Sequence, residues 1–342
     1  MLDEAYERLA GCGPEWGGNL SNHGPMAAEV LARRGFEPVV PGWVDAYVRR
    51  LDELPPPREA ITDDSWSAAL GDFARVTDWT EYLERALAGS EWRDVLRMWW
   101  PRLLPGIAAG ATHGLIRTGH AVRTLLAGDE SPAARGELAR GLAFWAARST
   151  AVPGASDPAG TADPALALDA VPRLAHQDGP IAGRLARLAE LPGWSDAVFG
   201  LRAASDPDSA RDVLARLVDA ATLRYLTHGH AAPVLLVHTA TAPNAVLHTL
   251  PALPRELWPA SLSAVWAASA AIIAAYGPAE PAPRAELPAA PTGSDGVSEV
   301  LDCAVQHRDE HVLKFTDTAA DVYERTGNPD ALAAAVRVEE LI

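Results

Sequence analysis

The 342-residue sequence predicts an all-α protein: a single large multi-helix domain over 1–342 with buried central helices. Ala, Leu, Arg and Glu recur at helical spacing along most of the chain, while alternating runs of Val, Ile, Thr and aromatic residues are almost missing. No repeat at a fixed period points to a solenoid. With 48% hydrophobic and 22% charged residues, the composition is that of an ordinary globular protein able to bury a sizeable core.

The stretch "SNHGPMAAEVLARRG" (21–35) reads as one complete helix. Ser21 or Asn22 lies near its cap, Pro25 in its first turn and Gly35 just past its end, which sets His23 at a helix N-terminus. Further helices are expected over 41–52, 65–75, 78–89, 91–100 and 102–127, with Pro101 and Pro105 kinking the approach to the last. "GIAAGATHG" (106–114) is placed inside that helix, where small residues allow close packing. A helix over 131–149 is followed by a Pro/Gly/Ala-rich connection at 151–163 and a second helical set through 207–276. Residues 277–296 form a proline-rich polar loop, and the last helices are expected at 297–326 and 329–341.

The formal charge of −16 argues against nucleic acid or an anionic membrane surface as partner, because both need a basic footprint. A small or apolar ligand fits better. Cys12 and Cys303 are far apart and form no CxxC, so neither a disulfide framework nor a zinc knuckle is indicated, and a reducing, cytoplasmic setting is expected. The N-terminal "MLDEAYERL" is acidic and amphipathic, unlike a signal peptide. The most apolar run, "AVWAASAAIIAAYG" (264–277), is shorter than a span of roughly 20 residues and reads as a buried helix. Eight of the 11 tryptophans precede residue 146; they read mainly as helix-packing bulk, some of which could line a pocket for a flat aromatic substrate. An Ala- and Trp-rich helical surface also suits a homodimer.

Of 29 basic residues, one, Lys314, is lysine and the rest are arginine. Where arginine serves every ordinary surface role, a surviving lysine is enriched for work that needs a neutral amine: imine formation, general-base work, or carboxylation to an anionic carbamate ligand. The bland alternative is an ion pair with Glu310, one turn earlier on a helix, worth a few tenths of a kcal/mol.

In "HRDEHVLKFTD" (307–317), His307, His311 and Lys314 fall at i, i+4 and i+7 of a helix, and histidines at i and i+4 have chelating spacing. A carboxylated Lys314 would complete a two-histidine, one-carboxylate set suited to non-haem iron; Glu310 or Asp317 could supply the carboxylate instead. "THGLIRTGHAVR" (112–123) puts His113, Arg117 and His120 on one polar face of an apolar helix, where buried histidine and arginine need partners. His113 and His120 lie about 10.5 Å apart along the axis, so one is expected to bind a metal and the other to support it. His23 and His238 are further candidates, whereas His176, His228, His230 and His248 have no supporting pattern. No GxGxxG follows a strand, and GxxxxGK[ST] and GxSxG are missing, so a nucleotide fold or a hydrolase elbow is not supported.

The segments "NLSNHGPMA", "WPRLLPGIAAGATHGLIRTGHAVR", "VHTATAPNAV" and "DEHVLKFTDTA" resemble, in order and spacing, the questin oxidase family, from about residue 18 to 325. The resemblance implies oxidative opening of a quinone or related polyketide ring, by enzymes described as Baeyer–Villiger-type oxidases despite lacking a flavin fold. It also implies a mononuclear non-haem Fe(II) site, whose ligands at the matching positions are His23, His113, His238, His311 and carboxylated Lys314.

The function expected is therefore an iron-dependent oxygenase acting on a small aromatic substrate with dioxygen, with NADPH as a candidate external reductant. Arg117, His120 and His307 are its candidate catalytic residues, Arg117 holding a phenolate or carboxylate. Two alternatives stand beside it. One is a metal-free lyase or decarboxylase using Lys314 as an imine-forming amine; the other is a non-catalytic helical binding protein with structural histidines.

Overall fold

The computed structural model describes residues 1–293 and 295–342 and is built almost wholly of helices. Its contacts divide the chain into two compact units, Met1–Ala151 with His248–Pro254 and Val152–Leu247 with Arg255–Ile342. The expected all-α class holds. Ser294, part of the expected loop at 277–296, lies outside the described residues.

The first unit opens with α1 (Leu2–Ala10) and a small antiparallel hairpin, β1 (Glu15–Trp16) with β2 (Leu20–Ser21). Then come α2 (Gly24–Arg33), α3 (Val40–Tyr47), α4 (Val76–Gly89), α5 (Trp92–Leu103), α6 (His113–Leu126) and α7 (Pro132–Ala147). Two glycines let α6 and α7 touch. A Cβ on Gly114 would lie 2.5 Å from Trp145 Cα, and one on Gly141 would lie 3.0 Å from the Thr118 backbone nitrogen. A side chain at Gly114 requires a helix to move, and one at Gly141 requires Thr118 to give way slightly.

The early tryptophans fill this core: Trp79, Trp92, Trp99, Trp100 and Trp145 are all fully buried. Trp79 meets Trp99, and Trp100 meets Trp145, edge to face at 5.3 Å. The indole N–H groups of Trp79 and Trp145 donate to the carbonyls of Ala69 and Gly106. These rings bind the helices together, as their bulk suggested.

The second unit holds α8 (Pro164–Ala170), α9 (Ile181–Ala186), α10 (Trp194–Gly200), α11 (Pro207–His228) and α12 (Pro233–Leu236). It continues with α13 (His238–Thr249), α14 (Trp258–Tyr276), α15 (Gly296–His307), α16 (Glu310–Thr326) and α17 (Pro329–Leu341). Helices α11, α16 and α17 pack on one another, Tyr225 against Phe315 at 4.3 Å between ring centroids. Among the described residues one helix, Arg255–Tyr276 with its leading turn, is long and apolar enough to cross a membrane, at 22 residues and mean hydropathy 1.5. The helix begins well before the apolar run at 264–277, so the length argument made from the sequence fails. However, 72% of the apolar window is buried inside the fold, which is the behaviour of a core helix.

Three local expectations fail. Residues 65–75 form two short 3-10 turns, Trp66–Ala69 and Phe73–Arg75, where one helix was expected. The 102–127 helix does not exist as such. Helix α5 ends at Leu103, and α6 begins only after Gly110, Ala111 and Thr112 have passed through left-handed φ values of 51°, 58° and 71°. "GIAAGATHG" is therefore a turn. The 297–326 helix is also broken, because Arg308 adopts φ 70° and Asp309 starts a new helix, accepting hydrogen bonds from the backbone N–H groups of His311 and Val312. His307 and His311 consequently sit on different helices, and the common face drawn through them does not exist.

Candidate functional site

Four candidate histidines share one mounting: His23 caps α2, His113 and His238 are the first residues of α6 and α13, and His311 is the second residue of α16. All four are buried. A ring at a helix start is carried by a rigid element, and its side chain leans back past the helix end.

In the first unit, His23 and His113 meet edge to face, with ring centroids 4.5 Å apart and planes at 88°. The backbone N–H of His23 donates to the Tyr47 hydroxyl at 2.7 Å, and Asn22 caps the same turn by accepting from Gly24 N–H at 2.9 Å. His113 Nδ1 bonds to the Gly110 carbonyl across the left-handed turn. A carbonyl can only accept, so Nδ1 carries a hydrogen, and in the neutral ring that leaves the lone pair on Nε2. The structure brings His113, not His120, to His23.

The rest of the polar face on α6 is spent on internal ion pairs. Arg117, expected to grip a substrate anion, donates through Nε and Nη2 to both oxygens of Glu137 on α7, the second bond at 2.8 Å, with both side chains almost fully buried. His120 Nδ1 lies 2.8 Å from Glu29 on α2, which also accepts from Arg123 Nε at 2.8 Å. Burial alone would raise the Glu29 carboxyl, but Arg123 and His120 outweigh it and hold it down at about 2. Both clusters read as structural locks between α6 and its neighbours.

In the second unit, His238 and His311 lie 6.1 Å apart, with ring planes at 86°. His238 Nδ1 donates to the Leu235 carbonyl at 3.1 Å, and His311 Nδ1 lies 3.2 Å from the Asp309 carboxylate. Burial would raise Asp309, but the hydrogen bond and charge of His311, with backbone N–H groups, bring it down to about 2. An ionised Asp309 accepts, so here too Nδ1 holds the hydrogen. Asp309, Glu310 and His311 each offer a ligand atom within 4.8 Å of the others.

Lys314 follows His311 by one turn of α16 and is 1% exposed. Burial pushes its amine down to about 7, against the opposing pull of Glu310 and Asp309. The amine is therefore substantially neutral at physiological pH, the state in which it is nucleophilic. His307, by contrast, is exposed at the last residue of α15. A cavity of about 660 Å³ in the first unit, lined among others by Tyr6, Leu87, Ala133 and Arg140, takes no wall from any of these histidines or from Lys314.

The class that fold and site define is an all-α protein with four buried histidines at helix starts and one buried, weakly basic lysine. A family model described as Questin oxidase-like matches residues 44–318, and the chain belongs to that family. The match takes in His113, His238, His311 and Lys314 and begins after His23. No curated protein matches the chain. Membership makes the protein an oxidase-type oxidoreductase with a small-molecule substrate.

Proposed function

We propose that the protein is a non-haem iron-dependent oxygenase that oxidises, and opens, a ring of an aromatic, anthraquinone-like polyketide. Its proposed metal ligands are His23, His113, His238, His311 and carboxylated Lys314. The observation that carries this reading is Lys314 itself, a buried amine held near neutrality one turn from His311 in a chain that otherwise uses only arginine. Carbon dioxide adds to such an amine at Nζ, forming a C–N bond and releasing a proton, and leaves a carboxylate where an anionic oxygen ligand is needed.

The donor set suits iron. His113, His238 and His311 each engage Nδ1 with an acceptor, which fixes the tautomer that presents a lone pair at Nε2. Iron, when bound, supplies activation of dioxygen, with NADPH a candidate source of electrons. The chain's own residues orient the rings, keep the site dry through burial and hold the negative charge on Lys314. With Arg117 and His120 committed to Glu137 and Glu29, binding of the substrate's polar groups falls to other residues.

Protein purified from iron-supplemented culture should contain one iron per chain, and carbon-13-labelled bicarbonate should give a carbamate signal in the NMR spectrum. Lys314→Arg, which keeps the charge but not the neutral amine, should lose both. Full iron retention in Lys314→Arg would overturn the role given to this residue. The same depressed amine also suits a metal-free lyase that forms an imine, and covalent trapping of a carbonyl substrate by borohydride at Lys314 would establish that chemistry instead.

A further inference from the structure

Asn244 joins the two helices that carry His238 and His311 in the second unit. It lies on α13, six residues after His238, and its side chain is buried. Its Nδ2 donates to Thr318 Oγ1 at 3.3 Å and to Asp321 Oδ2 at 3.2 Å, both on α16. The Thr318 hydroxyl in turn donates to the Lys314 carbonyl at 3.2 Å, which leaves its lone pairs to accept from the amide. His311, Lys314, Thr318 and Asp321 stand at i, i+3, i+7 and i+10 of α16 and form one stripe along it. Asn244 meets the far end of the stripe that bears His311 and Lys314.

The two helices run in the same direction. His238 and His311 face each other at their first turns, and Asn244 and Thr318 face each other further on. The climb from ring to bridge is about 9 Å on α13 and about 10.5 Å on α16. Sliding one helix along the other would therefore part the amide from its acceptors and the two rings from each other at the same time. Helix α13 transmits this restraint as one element. Pro243, beside Asn244, has no N–H for the Thr239 carbonyl four residues back, and the buried Ser269 hydroxyl of α14 donates to that carbonyl at 3.4 Å.

The bridge is not an efficient source of stability. Asn244 Oδ1 is buried with no donor among the described residues, and a buried acceptor left unpaired is costly. A buried polar residue kept at a cost in stability is the device by which paired parallel helices fix their register. We propose that Asn244 is a positioning residue: it pins the register of α13 against α16 and thereby sets how His238 faces His311 and Lys314. The consequence for metal binding rests on the iron-site reading above, whereas the pin itself does not.

The test uses the full chain with labelled histidine, followed by NMR first without metal and then titrated with Co(II), whose visible spectrum reports coordination geometry. In metal-free wild type the ring protons of His238 and His311 should give cross-peaks to each other. Asn244→Leu, which nearly keeps the volume and removes the donor, should weaken those cross-peaks in a protein still folded by circular dichroism. It should also bind Co(II) about tenfold more weakly, with an altered spectrum. Thr318→Val removes one of the two acceptors at nearly constant shape; it should shift all three readouts in the same direction by less, and it decides the matter if Asn244→Leu does not fold. A merely structural Asn244 predicts a lower Tm with unchanged cross-peaks and an unchanged Co(II) spectrum, and that result overturns the proposal. Weakened cross-peaks with unchanged Co(II) affinity overturn the link to the metal site. If wild type binds no Co(II), the iron-site reading falls, and the cross-peaks alone uphold or overturn the pin.

Discussion

Arg117 and Glu137 face each other as a two-bond ion pair inside the first unit, joining α6 to α7 where neither charge reaches solvent. Removing one partner leaves the other buried and uncompensated. Arg117→Met should therefore destabilise the protein by about 3–5 kcal/mol in denaturant unfolding, and Arg117→Met with Glu137→Leu should recover most of it. A substrate-binding Arg117 would instead leave stability unchanged and raise KM.

Gly114 is the point where α6 comes closest to α7. Gly114→Ala puts a methyl 2.5 Å from Trp145 Cα, so the helices must separate. We expect a loss of about 1–3 kcal/mol in urea unfolding, larger than exchange of an exposed helical glycine, which normally stabilises. Because α6 begins at His113, iron content should fall in the same variant.

The two histidines of "HRDEH" should behave oppositely. His307→Ala, at an exposed helix end, should leave iron content, activity and Tm within error of wild type, whereas His311→Ala should lose the metal. Equal metal loss in both variants would restore His307 to the site.

Glu29 gives the protein an acid-sensitive joint between α2 and α6. Its carboxyl titrates at about 2 when folded against an ordinary 4.5, so the stability it adds is complete above pH 4.5 and is lost as pH falls from there towards 2. Glu29→Gln should be less stable than wild type at pH 6, and the difference should shrink steadily below pH 4.5. A gap independent of pH would mean that the charge is irrelevant.

The helical class was legible because it rests on composition and spacing, which long helices such as α11 and α14 display over several turns. The position of His23 was legible too, since Asn22, Pro25 and Gly35 carry local start and stop chemistry. The two breaks that matter most were not. Ala111, Thr112 and Arg308 take left-handed backbone angles without being glycine or asparagine, and in the turn before α6 Gly110 is the one residue whose type favours such an angle. Signals that the expected helices passed over are Asp309, the N-cap that starts α16, and Pro164 after Asp163 at the start of α8. The partners of Arg117 and His120 were out of reach, because Glu137 and Glu29 come from other helices and only packing brings them near.

The mounting of the four rings on first turns has a further consequence. A helix end opens by fraying of one turn, at far less cost than melting the body of the fold. Rings carried there can let go of whatever they hold while α6, α13 and α16 stay packed behind them. Cargo release and global unfolding are then two separate events, with separate rates, and a chelator should strip the protein at temperatures where its circular dichroism has not yet changed.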